Sequence, residues 1–132
     1  MTQMFIPIIF TLIISNFSSN TTDDWVEIVN PTETEINFSD YFLSDVAGNK
    51  LEKNILIPAK GNCIFEWSNK LNNGGEIIFL KNKDGSQIDC VKYKDGAKGE
   101  CANTRESTDV KPNQNCFEKP QATEVPNTPA PA

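Results

Sequence analysis

With 132 residues, the chain has room for one hydrophobic core and is too short for two that fold independently. Its formal charge of −6, from 12 Lys and Arg against 18 Asp and Glu, disfavours unassisted binding to nucleic acid, since clustered cations supply most of the affinity for phosphate. The absence of histidine and of any Cys-x-x-Cys pair argues against acid–base catalysis and zinc, so no catalytic, cofactor-binding or metal-binding residue is assigned.

The chain opens on an apolar run, Met4 to Ile14, interrupted only by Pro7 and Thr11 and followed by polar residues Ser15 to Thr22. No charged side chain precedes Asp23, so the acidic balance belongs wholly to the chain from Asp23 onward. The run has the length of a secretory h-region and falls short of the roughly 20 apolar residues of a spanning helix. Residues 1–19 are therefore expected to be a signal peptide, cleaved after Ser15 or at Ser18 or Ser19, although the n-region lacks Lys and Arg. The alternative is an uncleaved anchor, because Met1 to Phe17 approaches the lower limit of a tilted span.

Strand signals dominate thereafter. Trp25 to Val29 places Glu27 among large and β-branched residues and stops at Asn30-Pro31, where proline removes a ladder donor. Ile36-Asn37-Phe38 and Tyr41 to Asp45 read as two short strands meeting at a corner. Val46 to Lys53 is a polar connection containing Gly48-Asn49. Asn54 to Ile57 is stopped by Pro58, Gly61 opens a strand to Trp67, and Glu76 to Leu80 with Gln87 to Tyr93 forms a hairpin across Asp84-Gly85. The total is about seven short strands at sandwich-like spacing with no sustained helical period, which makes the fold all-β. From Lys94 the composition turns to Lys, Asn, Glu, Thr and Pro, so 94–118 is expected to be a cysteine-bearing loop region and 119–132 a Pro-rich tail.

Cys63, Cys90, Cys101 and Cys116 come after an apparent export signal, and an even count in that setting favours disulfides. Three pairings are possible. The preferred one is Cys101 with Cys116, a clip within the turn-rich segment, which leaves Cys63 with Cys90.

The residues from Asp24 to Tyr93, just over half the chain, resemble the lamin-tail domain. Trp25-Val26-Glu27-Ile28-Val29-Asn30 is similar to that family's opening strand, and Ile36 to Asp45 to its hydrophobic-Asp-Leu-Ser-Gly-Trp-x-Leu-x-Asp segment, with Asp40 for the usual glycine and Tyr41 for the usual tryptophan. Ile57-Pro58-Ala59-Lys60-Gly61 and Asn73-Gly74-Gly75-Glu76 resemble two of its turns. The resemblance implies an immunoglobulin-like β-sandwich over 24–118 that holds partners and performs no chemistry. The expected function is a non-enzymatic binding or scaffolding module, secreted or associated with the cell envelope, whose partner is a protein or envelope component. Two other readings are an accessory module that positions a separate extracellular hydrolase or nuclease, and a membrane-anchored spacer that associates with the membrane through a retained leader.

Partner contacts are expected on two loops, 45–53 and 68–75, with Asp45, Asn49, Lys50, Asn69, Lys70, Asn72 and Asn73 as candidates, or along an exposed sheet edge. Other residues have a plainer reading. Asp23, Asp24, Glu27, Asp40, Asp45 and Glu76 hold enough carboxylates for an acid pair, but most sit at turns or strand exits. Asn82, Asp84 and Gly85 faintly resemble a calcium loop and fit a hairpin turn better. Trp25, Tyr41, Phe42, Phe65 and Trp67 are expected in the core rather than in a glycan-binding patch. The Asn-x-Ser/Thr triplets at Asn16, Asn20 and Asn37 are taken as chance matches.

Overall fold

The computed structural model describes residues 11–19, 24–67, 71, 75–94, 101–108 and 110–119. Among these the fold is all-β apart from one 3-10 turn. The strands are β1 (Ile13–Ser18), β2 (Trp25–Val29), β3 (Ile36–Asn37), β4 (Tyr41–Ser44), β5 (Lys50–Leu51), β6 (Ile55–Ile57), β7 (Asn62–Glu66), β8 (Glu76–Asn82), β9 (Gln87–Tyr93) and β10 (Phe117–Glu118), with the turn at Phe38–Asp40. The count is ten rather than about seven, because β1, β5 and β10 join the strands expected from sequence.

Three antiparallel sheets form, in the orders β1-β2-β7, β10-β6-β3 and β5-β4-β8-β9. Alternation along the strands sends one set of side chains inward. Ile14 and Phe17 of β1, Val26 and Ile28 of β2, and Cys63 and Phe65 of β7 meet Leu43 of β4, Ile78 and Leu80 of β8, and Val91 and Tyr93 of β9 in a single core. Phe38, held by the 3-10 turn, packs on Phe65 with ring centroids 4.5 Å apart. The corner expected between residues 36 and 45 is thus the point where one chain segment passes from the β3 sheet to the β4 sheet.

The expected leader requires correction over its second half. Leu12, Ile14 and Phe17 are 1% exposed or less, and β1 pairs with β2 from Ile13 opposite Val29 to Ser18 opposite Trp25. Cleavage after Ser15, or at Ser18 or Ser19, would remove an edge strand and part of the core, and a span reaching Phe17 would compete for the same residues. The domain therefore starts no later than Leu12, while residues 1–10 lie outside the described residues. No described helix is long and apolar enough to cross a membrane.

Both expected disulfide pairings are also corrected. Cys63 bonds Cys116, with Cα atoms 5.2 Å apart, and Cys90 bonds Cys101, at 6.0 Å. Cys63 points into the core from β7, whereas Cys90 lies opposite Phe79 on the outward face of another sheet. These two therefore cannot meet, and each instead fastens part of the C-terminal segment to an edge strand.

From Cys101 the chain runs beside β9, where Lys92 N donates to Asn103 O (2.8 Å) and Arg105 N to Lys92 O (3.0 Å). It then crosses to β1, where the Arg105 guanidinium donates to Ser15 O and Thr108 N to Phe17 O (2.9 Å). The second portion runs along β7. Asn115 Oδ1 accepts from Asn62 N at 2.9 Å, Gln114 Oε1 accepts from Ile64 N at 2.8 Å, and β10 then pairs with β6. The region expected to be a loop is thus a stapled cover over four strand edges, with Pro-rich residues 120–132 outside the described residues.

Candidate functional site

Of the expected partner-binding residues, Asn69, Lys70, Asn72 and Asn73 lie outside the described residues. Of the remaining three, Asp45 and Asn49 sit on the connection between β4 and β5 and Lys50 opens β5, in different roles. Asp45 is only 4% exposed; its Oδ1 accepts from Asn49 N at 2.8 Å and its Oδ2 from Asn49 Nδ2 at 2.7 Å. Gly48, at φ +93°, supplies the left-handed step between them. The carboxylate thus closes the loop internally and leaves Val46, 46% exposed, and Lys50 to face solvent.

Lys50 leads onto the outward face of its sheet. The register sets Ser44 between Lys50 and Phe79, and Phe42 beside Lys81, so these five side chains line one shallow groove with Val46 at its rim. Lys50 Nζ rests over the Phe42 ring at 4.6 Å from its centroid, and Lys81 Nζ over Phe79 at 5.1 Å. In the same groove Ser44 Oγ is buried with no hydrogen-bond partner. Polarity in a loop singles out Lys50 in the sequence, whereas nothing local marks Ser44 or Lys81; the period-2 register along each strand is legible in the sequence, but not which strand lies beside it.

The candidate acids divide into two groups, apart from Asp23, which lies outside the described residues, and Asp40, which is exposed at the end of the 3-10 turn. Glu27, on the outward face of β2, is held across three strands: Oε1 accepts from Ser15 Oγ (2.6 Å) and Asn16 Nδ2 (2.9 Å), and Oε2 from Asn62 Nδ2 (2.7 Å). Asp24, Asp45 and Glu76 are all buried and gather at the end of the sandwich where β2 starts, β4 ends and β8 starts. Asp24 Oδ2 accepts from Leu71 N at 3.0 Å, and the Glu76 carboxylate takes the amides of Val46 and Ile77. Burial, and after it the neighbouring Asp45, raises the Glu76 pKa above the ordinary carboxylate value. Burial, and after it Glu76, pushes the Tyr93 phenol well above its own. Each acid is thus bound to backbone at a loop junction, an arrangement that orders loops. Among the described residues no His, Cys, Asp and Glu group is placed to hold a metal ion.

Asp84 Oδ1 accepts from Ser86 N at 2.8 Å within the hairpin turn. Phe65 and Trp67 belong to the core, with Tyr41 packed against it, whereas Trp25 and Phe42 are buried outside it, Phe42 on the outward face of its sheet under Lys50. Asn16 is engaged by Glu27, and Asn37 Oδ1 accepts from Ser39 N at 2.9 Å; Asn20 lies outside the described residues.

A family model described as the Lamin Tail Domain matches residues 7–95. The match begins within the expected leader and takes in β1 through β9. No curated protein and no solved structure shows significant similarity to the chain.

Proposed function

The chain belongs to the lamin-tail-domain family, and from that premise we propose that it is an exported, non-catalytic module that holds a protein or cell-envelope component. Lamin-tail domains are immunoglobulin-like binding or scaffolding modules, and two disulfides suit an oxidising compartment. The observation that carries the reading is the preformed connection between β4 and β5. Asp45 and Gly48 fix its shape and turn Val46 outward on a disulfide-stapled scaffold, so little ordering entropy opposes a docking partner.

The test places a photo-cross-linking amino acid at Val46 in the disulfide-intact protein and, as a control, at exposed Thr34. Both variants are irradiated with envelope and secreted fractions of the source cells. A discrete adduct from position 46 that is absent from position 34 supports the reading. Equal labelling from both positions, or none from either, overturns it.

A further inference from the structure

We infer that the groove over Ser44 receives an acidic, extended peptide segment of the partner, laid against the β5 edge of its sheet. The inference rests on the proposed binding function and assigns the partner's chemistry.

Three observations converge. The first is charge: within β4, β5, β8 and β9 the outward-facing charged positions are Lys50, Lys81 and Lys92, and the acid that lines the groove, Asp45, is committed to Asn49, although the chain carries a net charge of −6. The acid of β9, Asp89, lies on the opposite face, where its carboxylate accepts from Ile14 N at 2.8 Å. Lys50 and Lys81 rest on aromatic rings, which hold two ammonium groups in place without neutralising them.

The second is the orphaned hydroxyl. Ser44 is 4% exposed and its Oγ has no partner, yet buried hydroxyls are nearly always hydrogen-bonded. It lines the same groove as the two lysine side chains, where an entering carboxylate oxygen would accept its proton and draw the ammonium groups to the same anion.

The third is the edge. The C-terminal segment covers β9, β1, β7 and β6, but β5 pairs only with Leu43 and Ser44 of β4. Among the described residues, the other side of β5 and the flank of β4 at Tyr41 and Phe42 have no strand beside them. An open edge favours a ligand with its own backbone hydrogen-bonding groups in extended form, namely a peptide. Its alternate side chains would fall on the lysine face, and acidic ones match it.

The test titrates the disulfide-intact protein with a labelled peptide of alternating Glu and Val, an alternating Lys and Val peptide, a sulfated glycan and a single-stranded oligonucleotide. Binding of the Glu peptide alone is expected, weakening with added salt and falling at least about tenfold in the Lys50→Glu/Lys81→Glu variant. Ser44→Ala should weaken it several-fold, while Lys60→Glu, on another face, should leave it unchanged. Amide shifts in the wild-type protein should cluster on β4 and β5. Absence of Glu-peptide binding, insensitivity to the lysine reversals, shifts on another face, or preference for the glycan or oligonucleotide overturns the inference. If Val46 still captures a specific partner in that event, the binding function stands and only its acidic-peptide chemistry falls.

Discussion

At the scale of single residues, the lamin-tail opening strand shows why its polar positions matter. Asn30 is fully buried. Its Nδ2 donates to Thr34 O, Ile57 O and Pro58 O at 2.8 to 3.0 Å, and its Oδ1 accepts from Thr32 N and Oγ1. One amide therefore ties the end of β2 to the adjoining loop and to β6. Asn30→Ala strands several buried backbone groups at once and should cost about 2–4 kcal/mol in denaturant unfolding. Glu76 makes a prediction of a different kind. Its raised pKa means that the folded state holds the proton more tightly than the unfolded chain, whose value lies near 4.5. Below that value both states are protonated and the group contributes no slope; as pH rises through the folded pKa, stability falls. Urea midpoints of wild type minus those of Glu76→Gln should therefore decline as pH rises above about 4.5 and level off beyond the folded pKa, because glutamine keeps an acceptor for Val46 or Ile77 without ionising. A flat difference would show that burial of the carboxyl is not felt at that site.

At the scale of elements, the strands that were legible in sequence owe it to local chemistry. Proline closes β2 and β6, and Asp84-Gly85, with Gly85 at φ +94°, reverses β8 into β9. The β1 strand was opaque because a secretory h-region and a strand in a buried core are both short apolar runs, and nothing inside Leu12 to Ser18 separates them. The two-residue strands β5 and β10 carry too little pattern to show a period. Disulfide pairing was illegible for another reason: it depends on which edges the C-terminal segment passes, a property of the assembled sheets. Much of the candidate site was hidden in the same way, since Asp45 has the polarity of a contact residue and spends it on Asn49. The real pairing sets an order of stabilities. The Cys63–Cys116 link spans 53 residues and the Cys90–Cys101 link 11, so chain-entropy loss in the unfolded state assigns about 4 kcal/mol to the first and about 3 to the second. Paired Cys→Ser variants should obey that order in thermal unfolding. Non-reducing peptide mapping should join the peptide containing Cys63 to that containing Cys116, and a Cys101–Cys116 peptide would refute the topology.

For the whole molecule, the family match ends at residue 95, yet the segment beyond it supplies the hydrogen bonds that close β9, β1 and β7 and the strand that pairs with β6. A sandwich of short sheets has many edges, and each uncovered edge invites pairing with another copy. This chain covers β9, β1, β7 and β6 with a polar segment too poor in apolar side chains to stay folded alone, and two covalent links hold that segment down. Cutting the protein after Lys94 should therefore do more than lower its melting temperature. It removes both disulfide partners and uncovers the edges of strands five and seven residues long, so the truncated domain should self-associate through backbone pairing. Cutting after Lys119 keeps the edge contacts and should leave a monomer. Size-exclusion chromatography with light scattering distinguishes the two proteins directly. If the shorter one stays monomeric with an unchanged unfolding midpoint, the C-terminal segment does not act as an edge cover, and the contrast between the covered edges and β5 is lost.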